Sequence, residues 1–232
     1  MLFRSWAFTI HVVPRPHFEI LIVGIAAGAA IVYSSRTWRT ARYAVTFIHE
    51  LGHAVSVGMV GGVPMALVIE PNSAGRTTHL LPEGTARRVA TAAAGYPAPA
   101  VAALFLAQLL VFGDPAASAV VAAALGGAVL VLWARNVRAA IGSILLAAVG
   151  LLAFCAPWVL FISMGLFIGV LAIGGFRSSY DAATLSTIDT TPNDSLSIHE
   201  AIGLPPRMVG ITLCIATGAL AAGTLAVLVG AV

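Results

Sequence analysis

The chain has 232 residues, of which 59% are hydrophobic and only 9% charged, and its mean hydropathy is +0.99. A soluble domain carries roughly 25% charged residues, so this chain cannot cover a water-facing surface. Soluble enzymes, disordered chains and nucleic-acid-binding proteins are poor fits, and a polytopic membrane protein is the expected class. The net charge of +3 rests on 12 basic residues, all of them arginine. They sit singly or in small groups between apolar runs, which suits anchors at a membrane surface and not a nucleic-acid patch.

The first apolar stretch, Trp6 to Val13, is short and ends in Pro14-Arg15-Pro16. It does not read as a cleavable signal peptide, and the first span is expected to be retained. A helix needs about 20 mostly apolar residues to cross a bilayer. Segments 18–34, 41–60, 87–112, 115–134, 137–155, 157–176 and 207–230 come close, which predicts an all-α membrane protein of about seven spans in one domain, 1–232. Trp38, Trp133 and Trp158 fall near span ends, where interfacial tryptophans are expected. Cys155 and Cys214 lie inside apolar runs and read as small buried hydrophobes, not as a disulfide.

Two stretches are not spans. In 62–82, two short runs flank Pro71-Asn72-Ser73-Ala74-Gly75, which predicts a β-hairpin after the second span. Residues 177–206 gather Asp181, Asp189, Asp194 and Glu200 and are expected to form an acidic extramembrane loop. Arg36, Arg39 and Arg42 fall on one side of this topology and the other arginines on the opposite side. By the positive-inside rule the N-terminus, the hairpin and the acidic loop are then cytoplasmic, and the C-terminus is outside.

The second span contains His49-Glu50-Leu51-Gly52-His53. Positions i and i+4 share a helix face, so His49 and His53 can grip one metal ion through their imidazoles. Glu50 is then placed to act on water as a general base and not as a ligand. At this composition the pattern arises by chance on the order of 0.6% of the time. Its position matters as well: a charged side chain at mid-helix costs at least about 2.5–3.5 kcal/mol on insertion scales, and a metal would compensate. The competing reading is a buried His–Glu hydrogen-bond cluster.

These residues resemble the site-2 protease family of intramembrane zinc metalloproteases, and most of all a small actinobacterial-type branch of it. The matching pieces are His49 to Ala54, Gly61-Gly62, the hairpin turn at Pro71 to Gly75, and Ala92-Ala93-Ala94-Gly95-Tyr96-Pro97-Ala98-Pro99. Arg135-Asn136-Val137, Asn193-Asp194-Ser195-Leu196 and Gly203-Leu204-Pro205 follow in order. The resemblance implies hydrolysis of peptide bonds in membrane-spanning substrates, with Zn2+ held by His49 and His53 and Glu50 as the base. It also implies close packing at Gly95 beside the site, where small residues let helices approach.

The family's third ligand, an aspartate in an Asn-Pro…Asp-Gly motif, has no counterpart here. A catalytic zinc normally has three protein ligands and a water. Asp194 is the first candidate, set against a helix N-cap for residues 195–202; Asp181 is the fallback. Asn136 can contact substrate or cap a helix. His199, His79, His11 and His17 read as bystanders. The hairpin can pair with an extended substrate through a strand edge, or simply pack against the bundle.

The expected partners are a membrane-protein or transmembrane-peptide substrate and the lipid bilayer, with no nucleic acid. The expected location is a bacterial cytoplasmic membrane. The rival readings are a catalytically degenerate metal-binding scaffold and a small ion- or proton-coupled transporter. Substrate identity, regulator and oligomeric state are not written in the sequence.

Overall fold

A computed structural model describes residues 15–112, 135–141, 144, 148, 157–185 and 194–230. In chain order these form α1 (Arg15–Tyr33), α2 (Ser35–Met59), β1 (Val63–Ile69), β2 (Gly75–Leu80), α3 (Thr85–Ala94) and α4 (Ala98–Phe112). They are followed by α5 (Pro157–Leu185), α6 (Asp194–Ile202) and α7 (Pro206–Val229).

Among the described residues, Trp158–Thr184 and Pro206–Val229 are long and apolar enough to cross a membrane. Two bent pairs, α1 with α2 at 107° and α3 with α4 at 64°, bring the number to four if each is one span. The expected count of seven is therefore not reproduced. The span expected at 115–134, the sites of Trp133 and Cys155, and most of 137–155 lie outside the described residues. The span expected at 87–112 is broken at Gly95-Tyr96-Pro97, because Pro97 and Pro99 cannot donate to the helix ladder.

The stretch 177–206 is also not simply a loop. Arg177 to Leu185 holds no proline or glycine, so α5 continues through it, and Asp194 opens α6. Gly203, at φ +76°, ends α6 in the left-handed region, its N–H donating to His199 O at 2.7 Å.

α2 ends in a Schellman motif, which explains the Gly61-Gly62 pair. Gly61 takes φ +82°. Its N–H donates to Gly58 O at 3.2 Å, and that of Gly62 to Val57 O at 2.8 Å. The chain then reverses into the hairpin, which pairs Leu67 with Thr77 and Ile69 with Gly75. The turn closes through Glu70 N–H to Ala74 O at 2.7 Å, with Ser73 at φ +65°.

One face of α2 ties the turn down. Tyr43 Oη donates to Pro71 O at 2.5 Å and Thr46 Oγ1 to Ser73 O at 3.0 Å. The outer edge of β1 is taken as well: Arg135 N–H reaches Leu67 O at 3.2 Å and Asn136 Nδ2 reaches Ile69 O at 2.8 Å. Leu67 and Ile69 turn their side chains into the main core with Phe47, Leu110, Met164, Ile168 and Leu171.

α1 and α5 cross at van der Waals distance through two small-residue pairs, Gly24/Gly28 and Gly165/Gly169. A Cβ at Gly28 would stand 2.5 Å from Leu166 O, and one at Gly169 2.6 Å from Ile25 O. Between lipid-embedded helices, this close packing substitutes for the missing hydrophobic drive. Arg177 joins the corner by donating to Val32 O, with its guanidinium 4.9 Å above the Trp38 ring. Trp38 is thus buried, unlike the interfacial anchor expected, whereas Trp158 is 58% exposed. Replacing Gly28 or Gly169 by valine should destabilise the fold by about 1–3 kcal/mol through overpacking, read as a lowered midpoint of thermal unfolding in detergent.

Candidate metal centre

The helical repeat of α2 puts His49 and His53 one turn apart, and their Nε2 atoms lie 3.1 Å from each other. Asp194, at the first turn of α6, brings Oδ2 to 3.1 Å from His49 Nε2 and 3.2 Å from His53 Nε2. His53 is 7% exposed, and its Nδ1–H donates to the main-chain oxygen of Thr91 at 2.7 Å. A carbonyl only accepts, so this bond fixes the tautomer and leaves the Nε2 lone pair facing the cluster.

These distances suit a metal ion. The three atoms form a nearly equilateral triangle, and a tetrahedral ion with bonds of about 2.0–2.1 Å separates its donors by about 3.3 Å. Proton accounting points the same way. With His53 Nδ1 committed to Thr91, two neutral imidazoles leave at most one proton, that of His49, for three mutual contacts. A cation facing all three lone pairs satisfies what one proton cannot. Burial alone would push the Asp194 carboxyl upward, but the two imidazoles beside it outweigh that and hold it well below the usual carboxylate range. Asp194 is therefore ionised at neutral pH, as a ligand must be.

Neighbouring elements shape the space around the imidazoles. A Cβ at Gly95 would stand 2.5 Å from both His49 Nε2 and His53 Nε2, so only glycine fits at the break between α3 and α4. Tyr96 packs edge-to-face on His49 with ring centroids 4.8 Å apart. α6 is seated on α3 and α7 through Ile198 against Val89, Ala92, Ala93, Val209 and Leu213.

Glu50 is 5% exposed, and one ligand atom from each of His49, Glu50 and His53 lies within 4.8 Å of the others. Thr77 Oγ1 donates to Glu50 Oε2 at 2.8 Å, and the α-carbon of Gly75 packs against the same carboxylate. A cavity of about 810 Å³ opens over this group, with α2, β2, α3, α5 and α6 among its walls.

Of the residues singled out in the sequence, His49, Glu50, His53, Asp194 and Gly95 converge here. Asp181 lines the same cavity, but no hydrogen bond or ion pair links it to either imidazole. Asn136 stands at the β1 edge, where Oδ1 also accepts the Ala139 N–H at 2.9 Å. It is a clamp on the hairpin and does not line the cavity. His199 donates to Leu204 O at 2.8 Å, and His79 lines the cavity. His11 lies outside the described residues. Thr77, Thr91 and Tyr96 were not singled out individually. Period-two alternation, which puts Thr77 on the same face as Leu67, is the signal that points to the first of them.

A buried histidine–carboxylate cluster that could hold a metal ion, in a helical chain with membrane-spanning-capable helices, fits an integral membrane protein. The sequence profile of the Peptidase M50B-like family matches residues 22–224, so the chain belongs to that family and with it to the site-2 protease group. The family is one of membrane metalloproteases. Comparison with curated proteins and with solved structures gives no significant match.

Gly95→Ala forces a methyl group against both imidazoles. It should weaken Zn2+ affinity about 10–100-fold in a chelator competition. Gly58→Ala, which has no atom within 4 Å of the added methyl, should leave it unchanged.

Proposed function

We propose that this protein is an intramembrane zinc metalloprotease that hydrolyses peptide bonds of membrane-spanning substrates. The observation that carries the reading is the convergence of His49 Nε2, His53 Nε2 and Asp194 Oδ2 within 3.2 Å beside a buried glutamate. Two imidazoles and one carboxylate with an open position form the donor set of a catalytic zinc site. Zinc bound there lowers the pKa of water toward about 7 and polarises a carbonyl. Glu50 takes the proton from water as its oxygen adds to the scissile carbonyl carbon. It then gives that proton to the amine nitrogen as the C–N bond breaks. The Thr91 carbonyl keeps His53 in the ligating tautomer throughout.

A transmembrane helix hides its peptide bonds in its own hydrogen bonds and must unwind to be cut. The outer edge of β2 supports a place for the unwound segment. The Glu70–Ala74 hydrogen bond sets the ladder parity, so the main-chain groups of Gly75 and Thr77 point away from β1. Among the described residues, no main-chain group of another element pairs with them. An extended peptide added there lies along the cavity wall beside Glu50. The protein's placement in a bacterial cytoplasmic membrane rests on the family resemblance and on the exclusive use of arginine as the basic residue.

The test is metal content followed by turnover of the detergent-purified chain. Elemental analysis should find about one zinc per chain in the wild type and in Asp181→Ala, and little in His53→Ala or Asp194→Ala. A wild-type chain that holds no zinc after reloading overturns the reading. Glu50→Gln should keep its zinc but lose at least about a hundredfold in kcat on a reconstituted transmembrane substrate. Cleavage unaffected by that substitution removes Glu50 from the chemistry.

A further inference from the structure

Thr77 occupies two environments at once. Its side chain faces α2, where Oγ1 lies 2.8 Å from Glu50 Oε2 and 3.0 Å from Glu50 O. Its main-chain N–H and C=O belong to the outer edge of β2, and that carbonyl is reached by the ring of His79 two residues along, at 3.3 Å. Gly75, its neighbour on the same face, has no room for a side chain because the Glu50 carboxylate fills that space. Glu50 is thus walled by β2, and its carboxylate orientation depends on where that strand lies. β2 itself is only half of a two-stranded sheet, with Gly75 and Thr77 half-buried and its other four residues exposed to solvent.

From these placements we infer that Thr77 is a positioning residue coupling the docking of an extended peptide at the β2 edge to the orientation of the Glu50 carboxylate. The inference rests on the protease reading above and deepens it by naming how substrate reaches the base. An added strand immobilises the Thr77 main chain through two main-chain hydrogen bonds. The same residue's hydroxyl, a charge-assisted donor, then holds Oε2 in one rotamer. Binding energy from substrate backbone remote from the scissile bond is in this way applied to the reacting group. No covalent step is added to the reaction; the proton still passes from water to Glu50 and on to the amine.

The decisive substitutions are Thr77→Val, which keeps the shape and removes the hydroxyl, and Thr77→Ser, which keeps the hydroxyl. On a fluorogenic transmembrane peptide, Thr77→Val should lower kcat about ten- to hundredfold. KM and zinc content should stay near wild type, and Thr77→Ser should recover most of the lost kcat. Equal kcat in wild type and Thr77→Val, or a serine variant as impaired as the valine one, overturns the inference while leaving the protease reading intact.

A second measurement does not depend on cleavage. In the zinc-loaded Glu50→Gln chain, whose amide oxygen still accepts from Thr77, the same peptide should slow hydrogen exchange in 75–80 and in the α2 segment around residue 50 together. Adding Thr77→Val should keep the first effect and abolish the second. Joint protection that persists in Thr77→Val, or no protection of 75–80 at all, overturns the coupling whether or not the wild type proves to be a protease.

Discussion

Glu50, His49 and His53 stand on a helix inside an apolar bundle, where an unpaired polar group costs several kcal/mol. Much of what surrounds α2 answers that constraint. The hairpin folds back along the helix and takes Tyr43, Thr46 and Glu50 in succession, through Pro71, Ser73 and Thr77. α3 supplies the carbonyl for His53, and α6 supplies the carboxylate for both imidazoles. Two polar columns therefore run down α2, one answered by a strand and one by two short helices. The histidine–carboxylate cluster and Glu50 sit where they meet.

The sequence made some of this legible and hid the rest for definable reasons. The histidines and glutamate are local, five residues on one helix, so spacing alone places them. The hairpin announces itself through Gly61-Gly62 and the Pro71 to Gly75 turn, and the strands lie within the expected 62–82. Asp194 is 145 positions from His49, and no periodicity fixes a contact at that separation. Only the resemblance pointed there; Asp194 stands in the first turn of α6 and reaches the imidazoles. The 107° corner between α1 and α2 has no proline or glycine to announce it. Thr37 Oγ1 donates across it to Ile31 O at 2.8 Å, and Arg177 braces it from α5, a contact that a local reading cannot see. The acidity of 177–206 suggested a loop, yet a few carboxylates do not break a helix that lacks glycine and proline. Hydropathy measures apolar length and does not register a bend such as the one inside 87–112; the described residues give two to four candidate spans.

Glycine does two distinct jobs in this fold. At Gly61 and Gly203 it supplies left-handed backbone that ends a helix. At Gly95, Gly75 and the α1–α5 crossing it supplies absence, letting an imidazole, a carboxylate or another backbone occupy the volume of a side chain. The second use concentrates around α2 and its supports. The site is consequently defined as much by what cannot be inserted as by what is present.

The occupation of β1 by Arg135 and Asn136 makes the two-stranded sheet one-sided. An isolated hairpin offers two edges, each a template for further strands and each a route to self-association. Here the acceptors on one edge are already taken by a segment of the same chain that is distant in sequence. Among the described residues, the edge left without main-chain partners is that of β2, on the side of the cavity. An edge of the kind that in another setting would seed aggregation is thereby capped on β1 by the chain itself.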